Sequence, residues 1–329
     1  MVQKSEKGKY LTLEDVRVHY DESKDSIVIT SKDKDIPSGK SIYLNLNNGR
    51  GAEKVLREML ENAGIIEPEN FKAFPDSISY ENVPKTQPWY AFPLGIRPNR
   101  KTVFWDPNTT GNLLIWGQGN FGKENADANI LRHCVKNSDH WSVSVIDYRA
   151  AGTNKYSQYR PVVAKISSND DETVAIIDEA YAEMRARQSE MEQEEVSNYL
   201  DLDRKVPARL IIIDDIGSQH LQEIKEPEPF YRFHDLLKEG KSAGIHIVIS
   251  GRGMGIALSI VSEDYLKFLP SRLVTGKVEY LLSKWALGNR KASEIGSETG
   301  RAYFQEFGKG VEIQAYEASP DWVDQKKFS

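Results

Sequence analysis

Residues 111–124 read GNLLIWGQGNFGKE, an apolar run that passes straight into a glycine-rich loop closed by Gly122-Lys123. A short apolar run bounded by glycines fits a buried β-strand, and the segment after Lys123 has helical composition. Gly117, Gly122 and Lys123 keep the spacing of the phosphate-binding loop G-x-x-x-x-G-K-[ST], and Gly119 and Asn120 lie within that loop. In such a loop backbone N–H groups and the helix N-terminus cradle phosphate oxygens, and the lysine reaches the outer phosphates. The next position breaks the pattern. Glu124 stands where a hydroxyl would hold Mg²⁺, and its carboxylate adds negative charge beside the phosphates. A strand–turn–helix with a coincidental Gly-Lys is the competing reading.

Downstream, ARLIIIDDIG (208–217) supplies a second half: an apolar strand ending in two acids. In nucleotide-hydrolysing folds the first such acid, here Asp214, serves Mg²⁺, and the second, here Asp215, activates water. Asp215 stands where a longer glutamate is usual. Paired aspartates also form turns and helix caps, so the doublet alone decides nothing. Strand–loop–helix followed by strand–acids makes the joint reading the stronger one.

Working outward, strands are expected at Thr102–Trp105, Leu113–Trp116, Ser142–Ile146, Arg209–Ile213 and His246–Ser250. Helices are expected after Lys123, from Asp171 to about Met191, and from about Phe230 to Ala243. Strands apolar on both faces require helices on both sides of a parallel sheet, which predicts a doubly wound α/β domain. Before it, alternating segments at Val16–Tyr20, Ser26–Thr30 and 41–48 predict short strands, and AEKVLREMLENAG (52–64) predicts a helix. Residues 65–90 have the composition of a connector, which places the boundary near 85 and gives a small α/β segment (1–85) before the main domain (86–329).

The bulk composition is that of a soluble globular protein: 329 residues, 39% hydrophobic and 28% charged. A net charge of −6 and a pI near 5.7 count against a surface built to neutralise nucleic-acid phosphates. The single cysteine, Cys134, excludes an internal disulfide or a cysteine-rich metal site, and it and His133 are read as structural. The sequence contains neither a membrane-length apolar run nor a secretory signal. Trp105, Trp116 and Trp141 are expected to pack the core or its rim rather than line a groove.

With these motifs in place, the stretch from about 90 to 319 resembles the FtsK/SpoIIIE ATPase domain, including its type VII secretion branch, the EssC/EccC coupling proteins. The resemblance rests on PLGI (93–96) before the VFWD strand, VIDYRAAGTNKY (145–156), the helix carrying Glu183, Met184 and Arg187, and KEGKSAGIHIVISGR (238–252). LPSRL (269–273) and ETGRAYFQEFGKGVEIQAYEAS (298–319) are similar to the family's closing strands. It implies a RecA-like P-loop fold with a mostly parallel central sheet flanked by helices. Arg252 and Arg272 become candidates for phosphate contacts, although either side chain also suits a surface ion pair.

The departures cluster where chemistry would happen. Besides Glu124 and Asp215, the sensor turn reads Ser250-Gly251-Arg252 where the family commonly has Thr-Gln-Arg, so Gly251 lacks the side chain that would feel the γ-phosphate. Losing one positioning group of this kind costs about 10²–10³ in rate. Altered catalytic positions are familiar in the second and third ATPase domains of EssC-type proteins. The resemblance therefore implies a degenerate domain, binding ATP and Mg²⁺ weakly or not at all, that acts in substrate recognition and inter-domain regulation of protein export. Neighbouring ATPase domains of the same polypeptide, small helical secreted substrates of the WXG type, and a hexameric assembly are the implied partners. The implied location is cytoplasmic, as the soluble part of a membrane-anchored bacterial protein, with no nucleic acid bound. The alternatives are an active DNA translocase or conjugative coupling ATPase, and a scaffold with no nucleotide affinity.

Overall fold

The protein is described from a computed structural model, which defines residues 74–118, 122–147, 156, 159–214, 227–253 and 263–318, together with five strands nearer the N-terminus. The chain divides into two units, Met1–Ala73 and Phe74–Ser329. In the first, β1 (Val2–Gln3) pairs antiparallel with β2 (Tyr10–Leu11). There too β3 (Val16–Asp21), β4 (Ser26–Ser31) and β5 (Ile42–Asn45) form an antiparallel sheet in that order. These strands fall where alternation places them; the helix expected at 52–64 lies outside the described residues.

The expected boundary near 85 falls inside the second unit. Tyr80 and Val83 are buried against Ile96 and Tyr316, and the Tyr80 N–H donates to the Glu317 carbonyl at 3.0 Å. Those contacts tie the supposed connector to the far end of the chain.

The second unit is one ten-stranded sheet. Its strands are β6 (Phe92–Ile96), β7 (Thr102–Trp105), β8 (Leu113–Gly117), β9 (Trp141–Ile146), β10 (Val163–Ser167), β11 (Ala208–Ile213), β12 (Ile245–Arg252), β13 (Ser271–Thr275), β14 (Arg301–Glu306) and β15 (Lys309–Ala315). The order is β10-β9-β11-β12-β8-β13-β14-β15-β6-β7. Pairings from β10 through β13 are parallel, and those from β13 to β7 are antiparallel. Among the described residues its α-helices are α1 (Pro107–Thr110), α2 (Lys123–Lys136), α3 (Asp170–Gln193), α4 (Pro227–Glu239), α5 (Glu263–Leu266), α6 (Tyr280–Leu287) and α7 (Lys291–Glu294).

Two cores sit on the two faces of the sheet, because side chains alternate along a strand. In β8, Leu113 and Ile115 face Ala126, Ile130 and Cys134 of α2, whereas Leu114 and Trp116 face the core shared by Ile176 and Met184 of α3 and Leu236 of α4. All five β8 residues are buried, as a strand covered on both sides demands. Truncating Ile115 to Ala would cost about 2–5 kcal/mol. The long helix α3 starts where Asn169 accepts from the Glu172 N–H at 3.0 Å, with Asp170, Asp171 and Glu172 placed to complement the helix dipole. Trp105, Trp116 and Trp141 are buried, as expected of packing residues. No helix among the described residues is long and apolar enough to cross a membrane.

Candidate nucleotide site

Parallel sheets place their ligands at the carboxyl ends of the strands, and Gly117, Lys123, Asp214 and Arg252 lie there. Strand β12 lies between β8 and β11, so the loop lysine and the paired acids are separated by one strand rather than adjacent. In register, Gly251 and Arg252 of β12 face Trp116 and Gly117 of β8, and Ile249 of β12 faces Ile213 of β11. Ser250 therefore stands beside Asp214. On the other side of β11, Ile213 pairs with Ile146, which brings Asp147 level with Asp214.

Helix α2 begins at Gly122, whose φ of 96° lies in the left-handed region, and no side chain caps its first turn. Gly117 is fixed by packing instead: a Cβ there would lie 2.3 Å from Thr275 Oγ1. The first loop glycine thus lets β13 close against β8.

Lys123, the first residue of α2, is buried. Its ammonium donates to Asp127 Oδ2 at 3.4 Å and, in a closer contact, to Asp214 Oδ1. Ser250 Oγ donates to the same Asp127 oxygen at 2.8 Å. The Tyr156 hydroxyl donates to Asp214 Oδ2, and at 3.2 Å to Asp147 Oδ2. The ammonium thus contacts two carboxylates, and Tyr156 joins a third, Asp147, to Asp214; each of the three is 3% exposed or less. Burial alone would pull the Lys123 pKa down, but the charges of Asp127 and Asp214 outweigh it and hold it well above the ordinary lysine value. Burial, with Asp214 and Asp147 adding to it, pushes the Tyr156 phenol far up, so it remains a donor.

The structure distributes the other expected site residues unevenly. Glu124 is exposed, and its charge is one of those that raise the Lys123 pKa. Arg252 ends beside Gly117 in register, and strand alternation puts it on the face of Ser250. Arg272 is not brought to the loop. Its guanidinium donates to the carbonyls of Leu269, Ala286 and Leu266 at 2.7–2.9 Å, tying α5 and α6 to β13. That occupation replaces the phosphate contact expected from sequence. Gly119, Asn120 and Asp215 lie outside the described residues.

Gly251 has a packing cause as well. A Cβ on it would meet the Trp116 ring at 2.3 Å, on the sheet face opposite Ser250. Trp116 is pinned there by its indole N–H, which donates to the Gly253 carbonyl at 3.1 Å, and by Trp285, whose ring centroid is 4.9 Å away. Of the sensor turn, Ser250 and Arg252 share the face that looks toward the site, and Ser250 bonds Asp127 there.

Sequence reading missed Asp127, Tyr156, Asp147 and Ser250 as members of one network. For Asp127 the signal was available, since a residue four places after Lys123 on a helix shares its face. For the rest, only strand order supplies the neighbours.

These residues fit a nucleotide in part. Lys123 and the open N-terminus of α2 suit phosphates, and Asp214 suits a cation shared with them. Among the described residues no group of three or more His, Cys, Asp or Glu is arranged to hold a metal unaided.

No protein-family model matches the sequence, and no curated protein does. Solved structures do. The pCW3 conjugation coupling protein TcpA, in its monomer form with ATPγS, is 15% identical, with 93% of this chain and 89% of that one covered and a TM-score of 0.68. The two chains share their fold. Thermomonospora curvata EccC (ATPases 2 and 3), in complex with a signal sequence peptide, is 16% identical at a TM-score of 0.55, over 75% of this chain and 44% of that one. EssC (ATPases 2 and 3) from Geobacillus thermodenitrificans is 18% identical at a TM-score of 0.54, over 77% and 47%. The chain spans less than half the length of these two secretion structures. The RecA-like P-loop architecture expected from sequence is present, with the flanked, mostly parallel sheet it implied.

Proposed function

We propose that this chain is a degenerate FtsK/SpoIIIE-like domain of an EssC-like secretion coupling protein, which engages ATP weakly, hydrolyses it little, and recruits protein substrate to an export assembly. The observation that carries the reading is the Lys123 ammonium held between Asp127 and Asp214, in a site whose hydroxyl position carries the exposed Glu124. Gly251, seated against Trp116, supports it, because that packing leaves no room for a longer side chain.

In mechanistic terms, Lys123 and the α2 N-terminus would hold phosphates, and Asp214 would hold Mg²⁺, which when bound supplies charge neutralisation. Tyr156 and Ser250 fix the orientations of Asp214 and Asp127. No group among the described residues is set to activate water. EccC has been solved with a signal sequence peptide, and a short helical export signal is the substrate class proposed here. Docking to neighbouring ATPase domains, a hexameric assembly and attachment to a membrane-anchored protein belong to the same proposal.

The test is Mg²⁺-dependent ATP turnover by the chain. Rates near background, with Lys123-dependent ATP binding, support the reading. Robust turnover abolished by Lys123→Ala, in a variant confirmed as folded, sinks the degeneracy.

One observation favours a second reading, a conjugative coupling ATPase: the likeness to TcpA runs over nearly the whole of both chains. It expects hydrolysis stimulated by DNA and DNA binding that weakens steeply with salt.

A further inference from the structure

We infer that the groove between α5 and α6 docks a segment of a protein partner that carries carboxylates beside a large apolar side chain. The inference rests on the recruitment reading above only in taking the occupant to be protein.

Helix α6 reads YLLSKWAL, in which Ser283 and Lys284 are the polar residues. A helix that apolar all round is normally covered on every side. Here Leu282, Ala286 and Leu287 are buried in the core of the sheet, whereas Leu281 stays 61% exposed and Trp285 is half-buried. Positions 281, 284, 285 and 288 recur at helical spacing, so they share one face of α6. With Leu266 and Lys267 at the end of α5, that face bounds a space of about 570 Å³. Trp285 is held in place by Trp116, 4.9 Å away between ring centroids, so this wall is formed before anything docks.

The charges around the space all have one sign. Arg272, Lys267 and Lys284 line it, and no carboxylate among the described residues does. On a chain of net charge −6 this is a local reversal. A guanidinium has five N–H donors, and the carbonyls of Leu269, Ala286 and Leu266 take three of those on Arg272. Two are left for an occupant, on a group whose direction is already fixed, and a carboxylate suits them. Lys284 is exposed and enters no ion pair among the described residues. Complementary charge therefore selects an acidic partner. The apolar surface selects protein: a nucleic-acid backbone would answer the cations but leave Leu281 and Leu266 against phosphate and sugar, whereas a peptide can cover both.

Fluorescence anisotropy of the chain with short fluorescein-labelled probes tests this. The probes are a peptide of leucines beside glutamates, one of leucines beside lysines, one of serines beside glutamates, and a single-stranded oligonucleotide; sedimentation reports self-association. The leucine–glutamate peptide should bind the parent most tightly. Lys284→Glu should weaken that binding about 3–10-fold and shift the preference toward the lysine peptide, and Leu281→Ser should weaken it about ten-fold. Both positions are exposed and lie outside the Lys123 network, so both variants should fold and keep the parent's ATP affinity. No peptide binding, indifference to the sign of the peptide's charge, or binding untouched by both variants overturns the inference. An oligonucleotide bound through Lys284, or a dimer that Leu281→Ser breaks, assigns the groove to another occupant and overturns it equally. Robust ATP turnover with groove binding intact sinks the degeneracy alone.

Discussion

Replacing Lys123 by Ala removes an ammonium that two buried carboxylates share, so it should unfold the domain more easily before any nucleotide is considered. Asp214 and Asp127 each lose a charged donor, at positions 2% exposed. Tyr156 remains on Asp214 and Ser250 on Asp127, and each of these donors is a neutral hydroxyl. Breaking a buried ion pair by deleting one partner costs about 3–5 kcal/mol, because the other charge is left uncompensated. At about 2–4 °C per kcal/mol for a unit of this size, the midpoint should fall by about 6–20 °C. Thermal and urea unfolding, followed by the fluorescence of the buried tryptophans near pH 7.5, measures it. Adding Asp127→Asn to Lys123→Ala should recover part of the loss, since one of the two buried charges that lost the ammonium disappears. A Lys123→Ala variant within about 1 kcal/mol of the parent would refute the reasoning and show that the cluster is hydrated. The same argument warns that Lys123→Ala tests nucleotide binding only in a sample shown to be folded.

Three further outcomes are expected. Burial lowers the pKa of His246 to about 3, with Arg187 and Lys241 adding to it, and that of His133 to about 4 despite its bond to the Trp89 carbonyl, so both are neutral when folded. The unfolded chain takes up these protons near pH 6.5 and the folded chain resists, so stability should fall as pH drops below about 6.5, by up to about 1.4 kcal/mol per unit for each histidine; urea titrations from pH 7.5 to 4.5 that show no loss, or His246→Leu leaving the slope unchanged, contradict this. Gly251→Gln should destabilise by about 1–3 kcal/mol through collision with Trp116 and fail to raise ATP turnover, with Trp116→Leu restoring stability in the double variant. Arg272→Ala, which strips three carbonyls of their donor, should cost about 2–4 kcal/mol in unfolding measurements and leave ATP affinity unchanged, whereas a loss of affinity without a loss of stability would return Arg272 to the site.

The order of elements was legible in the chain because its signals are local. Leu113–Gly117 is apolar on both faces and ends in glycine, and Lys123–Lys136 carries Ile130 and Cys134 on one helical face. Such patterns need only near neighbours, so strand, loop and helix came out within a residue or two, and Gly117, Gly122, Lys123 and Asp214 were picked out as a set. The sequence by itself thus determined the kind of fold and marked the candidate phosphate loop.

What it left open depends on residues far apart in the chain. Strand order puts β12 between β8 and β11, which sets Ser250 against Asp127 of α2, and the chain's return after β9 brings Tyr156 to Asp214. Arg272 lies in register with Leu114, three residues before the loop, and its donors go to carbonyls that a linear reading does not expose. Gly251 looked like a missing sensor; its cause is a tryptophan 135 positions earlier, packed under it from β8. Hydrogen bonding and steric exclusion between distant segments carry no local period, so tertiary structure alone decided that the retained lysine is held by two acids.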